Sequence, residues 1–539
     1  MTGPLPPGVS ARSFHTALQE FAAVVGPSFV FSSDDDRQSY TDPYSMGDPR
    51  DNEPAAAVAP ASVEEVRRIL SVARRHLVPL WPVSMGKNFA YGGAAPRLKG
   101  SVVLDLKRMN RILEIQDELG YALVEPGVSF FDLHRALEER GGKLWMSGAA
   151  HSWGSVIGNA LEHGVGYTPY GVHADMICGM EIVLASGEVV RTGAGAVKDS
   201  PEWNLYRHGF GPVWEGAFTQ SNFGVVTKMG IWLMPQPEAM AAVKITVPRE
   251  EDLEILVDTL RPLRLNDTIN ATYTIVNSVR QAFRAGRRAK LYTGPGSLPR
   301  EVVAAQLARQ GDTPWAVTFL LFDRPRGLDL RIEAIQDAFG PVAGAKVQIT
   351  NRWIRGDTQA PWMRQEVSLG PLAVVDWWGG RGGHSDFGPI IAPVGTRVRQ
   401  VYDRVFAGFE KYGLDCTVGM FGMGPRAIVM VADIIYDRDD VEMTRRAQAL
   451  FRVLCLEAGE IGISLYRSHI TFMDDAAAMQ TFNGGALRRF NRLIKNAVDP
   501  RGILAPGKQG IWPGGEPPGG EPPGGEPPGG APPTDGTRS

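Results

Sequence analysis

The chain has 539 residues, of which 21% are charged, and its formal net charge is −3. No long basic run stands out from the mixed charges, so nucleic acid and anionic membrane surfaces are disfavoured as partners. Because this length exceeds what a single hydrophobic core usually organises, we expect a soluble globular enzyme of two or three domains.

The first residues, the cysteines and the histidines indicate the cellular compartment and whether a metal site is present. Residues 1–8 lack a basic start followed by an apolar core, and no run of about 18 apolar residues occurs, so we expect a cytoplasmic protein. Cys178, Cys416 and Cys455 are too few and too scattered for a disulfide framework, which predicts buried thiols. The nine histidines show no His-x-x-x-His spacing, and no metal site is predicted.

The first informative segment is a small-residue loop, residues 82–93, which follows the apolar run 78–81. Glycines allow a positive φ and a close approach of the backbone, so consecutive N–H groups can point at anionic oxygens while polar side chains add donors. These positions are Ser84, Gly86, Lys87, Asn88, Gly92 and Gly93. Such a loop alone equally fits a tight turn, so a pyrophosphate site is predicted only together with further evidence.

A second loop of the same kind spans residues 152–171, and two anion loops indicate one large dinucleotide. Its cofactor-binding candidates are Trp153, Gly154, Ser155, Gly158, Asn159, Gly164 and Tyr167. Between the loops lie strand-like runs at 101–106 and 121–127 and a helical pattern from Phe130 to Arg140. No Gly-x-Gly-x-x-Gly joins a first strand to a helix, so a nicotinamide cofactor is disfavoured.

The pattern changes at Ala241. From there to about Ala478, strand-like segments such as 242–247 and 315–322 alternate with amphipathic helices, among them 251–260 and 329–338. Their apolar residues recur at three-to-four spacing, which favours core packing over a cofactor surface. After Trp512 the chain repeats Glu-Pro-Pro-Gly-Gly, a composition with little to bury, so this tail is expected to be disordered.

Four motifs together resemble a known family: residues 86–98, 153–171, 218–228 and 504–508. They are similar to the flavin oxidoreductases typified by vanillyl-alcohol oxidase and p-cresol methylhydroxylase, and within that family to the bacterial eugenol oxidases. The likeness extends from about Pro6 to Trp512. It adds Gly224, Val225 and Lys508 to the residues expected to contact the cofactor.

The resemblance implies an α+β, two-domain FAD-binding fold. Residues 1–236 and the returning segment 486–512 would form the FAD-binding domain, 237–485 a cap domain with an antiparallel sheet, and 513–539 the disordered tail. It further implies FAD as cofactor and a homodimer or higher homo-oligomer.

His384, in the segment Gly-Gly-His-Ser-Asp-Phe, aligns with the histidine through which vanillyl-alcohol oxidase-like members bind flavin covalently. The methylhydroxylase uses a tyrosine elsewhere in the same domain. The resemblance therefore implies covalent FAD on His384, since a neutral imidazole can attack the 8α carbon of oxidised flavin. The alternative is an ordinary structural histidine.

Tyr91, Tyr466 and Arg467 correspond to the two tyrosines and the arginine that hold a phenolic oxygen in this family. Electrostatics supports this assignment. A phenol is mostly protonated at neutral pH, and a guanidinium with two hydroxyl donors favours its anion. The phenolate then pushes electrons through the ring, so that hydride can leave the para benzylic carbon. Taken singly, a Tyr-Arg pair would more often be a surface feature.

Two positions depart from the family pattern. Ala150 stands where eugenol oxidase-like members carry an aspartate beside the flavin, and the neighbouring His151 is a candidate general base in its place, against the alternative of a hydrogen-bonded neighbour. The segment around Arg426 replaces a Met-His-His cluster, so Arg426 is a tentative receptor for a substrate carboxylate.

The leading function is an FAD-dependent oxidase of para-substituted phenols, such as 4-hydroxybenzyl alcohols and 4-alkyl or 4-allyl phenols, which returns electrons to O2 and forms H2O2. The alternatives are a cytochrome-coupled 4-alkylphenol dehydrogenase and an oxidase of a carboxylated phenol such as 4-hydroxymandelate. A flavin-binding protein without catalysis is the least favoured, because the phenol-binding residues would then have no purpose.

Overall fold

A computed structural model describes residues 3–357 and 374–515. Up to residue 235, short helices alternate with the strands of three sheets. Their bounds are α1 Ala11–Val25, β1 Val30–Phe31, α2 Asp34–Gln38, β2 Ala56–Val58, α3 Val63–His76, β3 Leu80–Val83, β4 Val102–Asp105, β5 Ile112–Gln116, β6 Tyr121–Val124, α4 Phe130–Glu139, β7 Leu144–Trp145, α5 Val156–Leu161, β8 Ile177–Val183, β9 Val189–Arg191, α6 Glu215–Phe218, β10 Val225–Trp232 and β11 Met234–Pro235.

This first region contains a four-stranded sheet of order β1-β2-β4-β3, a five-stranded sheet of order β5-β6-β10-β8-β9, and the small pair β7 and β11. The strands β2, β3 and β4 run parallel and are nearly all buried, and α1 and α3 pack together beside them. Parallel strands covered in this way leave their carboxyl ends free to form a binding edge. The loop 84–93 begins at that edge, directly after β3.

The second region is one large sheet with helices. Its elements are β12 Ala239–Val247, α7 Leu253–Leu265, β13 Thr274–Val276, α8 Ser278–Ala282, α9 Arg300–Gln310, β14 Trp315–Asp323, α10 Pro325–Phe339, β15 Lys346–Ile354, β16 Gly382–Phe387, β17 Ile390–Ile391, α11 Gly395–Lys411, β18 Thr417–Met423, β19 Ala427–Asp437, α12 Val441–Glu460, α13 Met473–Ala478 and α14 Phe482–Val498. The eight strands form an antiparallel sheet of order β15-β12-β14-β13-β18-β19-β16, with β17 also paired to β19.

The last described segment returns to the first region. Leu80 of β3 forms a parallel bridge with Leu504, and the Ala505 amide donates to the Leu80 carbonyl at 2.7 Å. Lys495, which is fully buried, donates to the carbonyls of Asn222 and Leu504 at 2.8 and 2.6 Å. A buried ammonium needs such partners. These contacts join the end of the chain to the loop edge near β3.

The mixed helices and sheets of the two regions form the predicted α+β, two-domain fold. The exact domain boundaries stay a prediction. The apolar stripes of α7 and α10 lie in the core of the large sheet, as expected, and the three cysteines are free and buried. The helix predicted at 251–260 instead spans Leu253–Leu265, because buried Leu263 holds the chain helical past Pro262.

Two further expectations concern α10 and the tail. The helix predicted from residue 329 begins earlier, at Pro325, because proline suits the first helical turn, where its missing N–H has no intrahelical partner in any case. Most of the predicted disordered tail, residues 516–539, lies outside the described residues.

Within the described ranges, no helix combines the length and apolar character needed to cross a membrane.

Candidate active site

A cavity of about 840 Å³ lies between the loop edge of the first region and one face of the large sheet. Its lining combines four loop segments near residues 84–93, 149–167, 218–226 and 504–508 with side chains from β16, β18 and β19. This volume is at the large end of ligand sites, as a dinucleotide together with a small substrate requires.

Small residues shape the loop side of the cavity. Gly86 has a φ of +66°, and a Cβ there would lie 2.8 Å from the Cβ of Ala94, so only glycine fits. A Cβ on Gly158 would lie 2.3 Å from Ser84 Oγ, which shows how closely the two predicted loops approach each other. The two loops therefore form one continuous surface.

Two further motifs complete that surface. Asn222 donates its side-chain amide to the carbonyls of Ala505 and Ile511 at 3.0 and 2.9 Å, which ties the segment 218–228 to the returning end of the chain. Lys508 forms an ion pair with Glu162, and both residues line the cavity. Burial opposes the charge of Glu162, but Lys508 and Arg467 outweigh it and lower the pKa of this carboxyl.

The predicted phenol-binding residues converge in the same cavity. The Arg467 guanidinium lies 4.0 Å from the ring centre of Tyr91 and 5.7 Å from that of Tyr466. Arg467 donates to Asn88 Oδ1 at 2.6 Å, and the Tyr466 hydroxyl donates to the carbonyl of His163 at 2.6 Å. Asn88 and His163 belong to the two predicted loops, so these loops also orient the cap-side arginine and tyrosine.

Burial and the neighbouring charges together set the charge states of Tyr91, Tyr466 and Arg467. Burial raises the pKa of both Tyr91 and Tyr466, so both hydroxyls stay protonated, although the Tyr466 hydrogen is already donated to the His163 carbonyl. Burial alone would lower the pKa of Arg467, but the neighbouring tyrosines and Glu162 outweigh it and raise this pKa. The result is one fixed positive charge beside two neutral hydroxyls, which suits an oxyanion.

His384 lies on β16, buried, with its ring 4.6 Å from that of Phe89. Its Nε2 is 3.0 Å from Asp386 Oδ1 and 3.5 Å from Asp433 Oδ1, without the alignment of a hydrogen bond, so both ring nitrogens are unpartnered. Burial would lower the pKa of His384, but the two carboxylates outweigh it and raise this pKa to about 9. An imidazole with this pKa is protonated at neutral pH and must lose a proton before it can attack a flavin carbon, so attachment through His384 stays a prediction.

Strand pairing explains a group of cavity residues that the sequence analysis missed. Asp386 of β16 stands directly opposite Asp433 of β19, and Thr417 of β18 stands opposite Asp433. Side chains two residues apart share a face, so Val429 and Val431 of β19 line the cavity together with Asp433. Arg280 of α8 pairs with Asp433 at 2.5 Å. The available signal was an aspartate within the apolar run 428–436, since buried carboxylates are rare without partners.

His151 and Ala150 both line the cavity. The His151 ring lies 4.9 Å from those of Phe89 and Trp153, and its Nε2 is buried without a partner. Burial lowers the pKa of His151 to about 4, so the imidazole is neutral at physiological pH. The neutral imidazole has a free lone pair, but a pKa this far below neutral makes it a weaker base than an ordinary histidine, so the role of His151 as general base stays a prediction.

Most of the predicted cofactor-binding residues line the cavity, and three of the predicted site residues do not. Gly92 and Trp153 fall outside the lining, where Trp153 packs against His151 instead. Arg426 is exposed in the turn between β18 and β19 and also lies outside. Its role as a carboxylate receptor stays a prediction, which its place outside the cavity lining does not support.

The fit to FAD rests on the loops and on the unpartnered buried atoms. A continuous two-loop surface, the Lys508–Glu162 pair and the unpartnered His384 nitrogens offer a cradle for a large anionic dinucleotide. Sequence comparison agrees: the FAD binding domain family matches residues 54–193, and the family of FAD linked oxidases, C-terminal domain, matches residues 300–509. The protein is thus an FAD-dependent oxidoreductase.

Similar proteins of full length define the family. The chain is 37% identical over 514 residues to the 4-cresol dehydrogenase (hydroxylating) flavoprotein subunit of Pseudomonas putida, covering 94% of this chain and 97% of that one. The chain belongs to the same family, that of vanillyl-alcohol oxidase and p-cresol methylhydroxylase, as the motifs predicted.

Two solved structures are similar over almost their whole length. One is p-cresol methylhydroxylase with substrate bound, with a TM-score of 0.89, 35% identity, and coverage of 94% of this chain and 99% of that chain. The other is the isoeugenol complex of 4-ethylphenol oxidase from Gulosibacter chungangensis, with a TM-score of 0.89, 36% identity, and coverage of 95% and 99%.

Proposed function

We propose that the protein oxidises phenols at the benzylic carbon of a para substituent, as an FAD-dependent oxidase. The observation that carries the proposal is the grouping of Tyr91 and Tyr466 around Arg467 in the wall of one cavity. The names of the relatives, which refer to 4-cresol and 4-ethylphenol, support the same class of substrate.

The residues of this chain hold and activate the phenol. Arg467 and the hydroxyls of Tyr91 and Tyr466 surround the phenolic oxygen and stabilise its anion, which raises the electron density of the ring and weakens the benzylic C–H bond. The bound FAD supplies the oxidant, because its N5 accepts the hydride. The apolar side chains of Phe421, Val429 and Val431 flank the substrate and keep water away from the ring.

His151 is the candidate base on the side of Ala150. Its neutral imidazole accepts a proton from water that adds to the benzylic carbon, or from a benzylic hydroxyl. Unchanged turnover of His151→Ala at every pH between about 6 and 9 would reject this role, since a missing base slows the reaction over the whole range.

We also propose that His384 carries the flavin covalently. Its two unpartnered nitrogens and its position on the cavity wall support this attachment. In-gel flavin fluorescence after denaturation should follow the wild-type polypeptide and be absent from His384→Ala. His151→Ala is the matched control, because it removes a neighbouring imidazole without touching the attachment point. Fluorescence that stays with the His384→Ala band would contradict the assignment.

The electron acceptor distinguishes the oxidase from the cytochrome-coupled dehydrogenase. The methylhydroxylase branch attaches its flavin through a tyrosine, whereas this chain has a histidine, His384, at the attachment position of the oxidase branch. This difference supports O2 as the electron acceptor. The test is anaerobic mixing with 4-ethylphenol or vanillyl alcohol while the visible flavin absorption is recorded, followed by air. Bleaching and rapid return of colour with H2O2 support an oxidase. Bleaching with slow return supports a dehydrogenase, and no bleaching refutes phenol oxidation.

Carboxylated phenols are less well supported. Arg426 lies outside the cavity, and the charge of Arg280 is already matched by Asp433 at 2.5 Å. We therefore expect 4-hydroxymandelate to bleach the flavin more slowly than 4-ethylphenol in the same anaerobic assay.

A further inference from the structure

Helix α14 presents an apolar face to the outside of the molecule. Its large apolar side chains are 87%, 54%, 57% and 66% exposed, in the order Phe482, Leu487, Phe490 and Leu493. Exposed apolar residues are normal when they are scattered, but the last three recur at a spacing of three and lie on one side of the helix. An amphipathic helix normally turns such a side toward the core, so this helix is inverted.

Lys495 fixes which side of α14 faces the protein. It is fully buried and donates to the carbonyls of Asn222 and Leu504 at 2.8 and 2.6 Å. At about 100° per residue, Phe490 and Leu493 lie about 140° and 160° around the helix from Lys495. The apolar face therefore cannot turn inward without removing a buried ammonium from its acceptors, which is costly.

The same helix carries positive charge that is not balanced. Residues 482–498 contain no acidic residue, and their basic residues are Arg488, Arg489, Arg492 and Lys495. Among the described residues, the one ion pair of α14 joins Lys495 to Asp499 at 2.8 Å, on the inner side. Arg488 and Arg489 are exposed. The sequence analysis disfavoured anionic membranes because it found no long basic run, and apolar residues separate these arginines into short groups.

The chemistry of the face disfavours a cover from the same chain or from a second copy. Two copies of α14 would bring unbalanced arginines of like charge together, which is unfavourable. Residues 516–539 contain three glutamates but no aromatic or large aliphatic residue, so they could balance the charge without burying Phe490 and Leu493. An anionic lipid surface supplies both hydrocarbon and negative charge.

A separate protein partner also fits this face less well than lipid does. Protein interfaces carry about one hydrogen bond per 100–200 Å². The outward side chains of Leu487, Phe490 and Leu493 are hydrocarbon and offer none. A lipid surface needs no such match, because apolar side chains enter the acyl boundary while arginines reach the phosphates.

We propose that α14 binds the surface of anionic membranes. The helix lies in the plane of the interface, with Phe490 and Leu493 at the acyl boundary and Arg488 and Arg489 among the headgroups. This is attachment from one side of the bilayer. None of these side chains lines the cavity, so the inference does not rest on the proposed function.

The test is sedimentation of the FAD-loaded, full-length enzyme with lipid vesicles. We expect it to co-sediment with phosphatidylcholine vesicles that contain about 30% phosphatidylserine, and to stay in the supernatant with pure phosphatidylcholine. An Arg488→Gln, Arg489→Gln variant should bind at least about tenfold more weakly, because each arginine near an anionic surface contributes severalfold. Salt at about 1 M should weaken the binding of wild type, since it screens charges beyond about 3 Å.

A matched pair of leucine variants tests the apolar face. Leu493→Ser should bind about tenfold more weakly, because a leucine side chain is no longer buried in the lipid. Leu456→Ser is the control: Leu456 is 64% exposed, close to the 66% of Leu493, but lies in α12 beside Glu457. It should bind as wild type does. Both positions are exposed, so thermal unfolding and flavin absorbance should match wild type in both variants.

Wild type that stays in the supernatant with anionic vesicles overturns the proposal and leaves a protein as the partner. Equal binding of the two leucine variants overturns the assignment to α14. A lower molar mass of Leu493→Ser by light scattering would mean that a second copy covers the face. Binding that begins only after deletion of residues 516–539 would mean that the tail covers it. Either result refutes membrane attachment of the native chain.

Discussion

The two sides of the cavity are built on different principles. The loop side, with Gly86, Gly158 and the bridge between Leu80 and Leu504, consists of backbone brought close by small residues. The sheet side consists of charged and aromatic side chains on strands that are distant in sequence, such as Asp386 and Asp433, which meet only through antiparallel pairing. The loop side suits a constant cofactor, and the sheet side determines what reacts beside it.

The comparison also shows that the two sides depend on each other. Arg467, which belongs to the second half of the chain, is oriented by Asn88 of the first loop, and Tyr466 by the His163 carbonyl of the second. A change in a cofactor loop should therefore also disturb the phenol site.

The largest effect is expected from removing the positive charge of Arg467. Arg467→Ala should slow flavin reduction by 4-ethylphenol about 100- to 1,000-fold, because a preorganised charge at a developing oxyanion commonly contributes this much. Stopped-flow absorbance under anaerobic conditions measures it. Arg467→Lys is the control: it keeps the charge but loses the planar fork, so an intermediate rate is expected. A change below about threefold would mean that Arg467 is structural.

A smaller effect is expected from a change to the loop side. Gly86→Ala forces a side chain into a positive φ and against Ala94, so we expect reduced FAD content and a destabilisation of about 1–3 kcal/mol. The flavin-to-protein absorbance ratio and thermal unfolding measure these two quantities. Gly459→Ala is the matched control, because this position in α12 has ordinary φ and no atom within 4 Å of a new Cβ. Equal FAD content in both variants would contradict the close approach of the loops.

The smallest effect is a pH dependence of stability from two buried histidines. Burial lowers the pKa of His151 and of His173 to about 4, below the unfolded value of 6.5. Between these two values the unfolded chain binds more protons at these two positions, so their contribution to stability is complete above about pH 6.5 and is lost as the pH drops toward 4. Urea denaturation at several pH values measures this. A His151→Asn, His173→Asn double variant should show a flatter acid limb than wild type, and an identical limb would contradict the burial argument.

The loops could be predicted because their information is local. Glycine, serine and asparagine in a short segment define a backbone with free donors wherever the segment lies, so Ser84, Asn88, Ser155 and Gly158 were predicted as lining and do line the cavity. The strands β12 and β14 were also predictable, since apolar runs in them reflect burial. Their helices were predicted with ends displaced by one to five residues, because tertiary packing of residues such as Leu263 decides where a helix stops.

The sheet side could not be predicted in the same way. Arg426 was selected from its sequence neighbourhood, and it lies at an exposed hairpin tip. Arg280 and Asp386 were not selected, because nothing near either residue in sequence identifies its partner. Arg280 and Asp433 are 153 positions apart and lie 2.5 Å from each other.

The sequence, through motifs that resemble a known family, predicted the FAD cofactor and the two-domain α+β organisation, and the phenol-binding role of Tyr91, Tyr466 and Arg467 stays a prediction from the same motifs. The tertiary structure alone decided that Asp433 meets Arg280 at 2.5 Å and that Asp386 faces His384 Nε2 at 3.0 Å. The physical reason is that a charge acts over a few ångström of space, and only the pairing of β16 with β19 brings these charges within that distance.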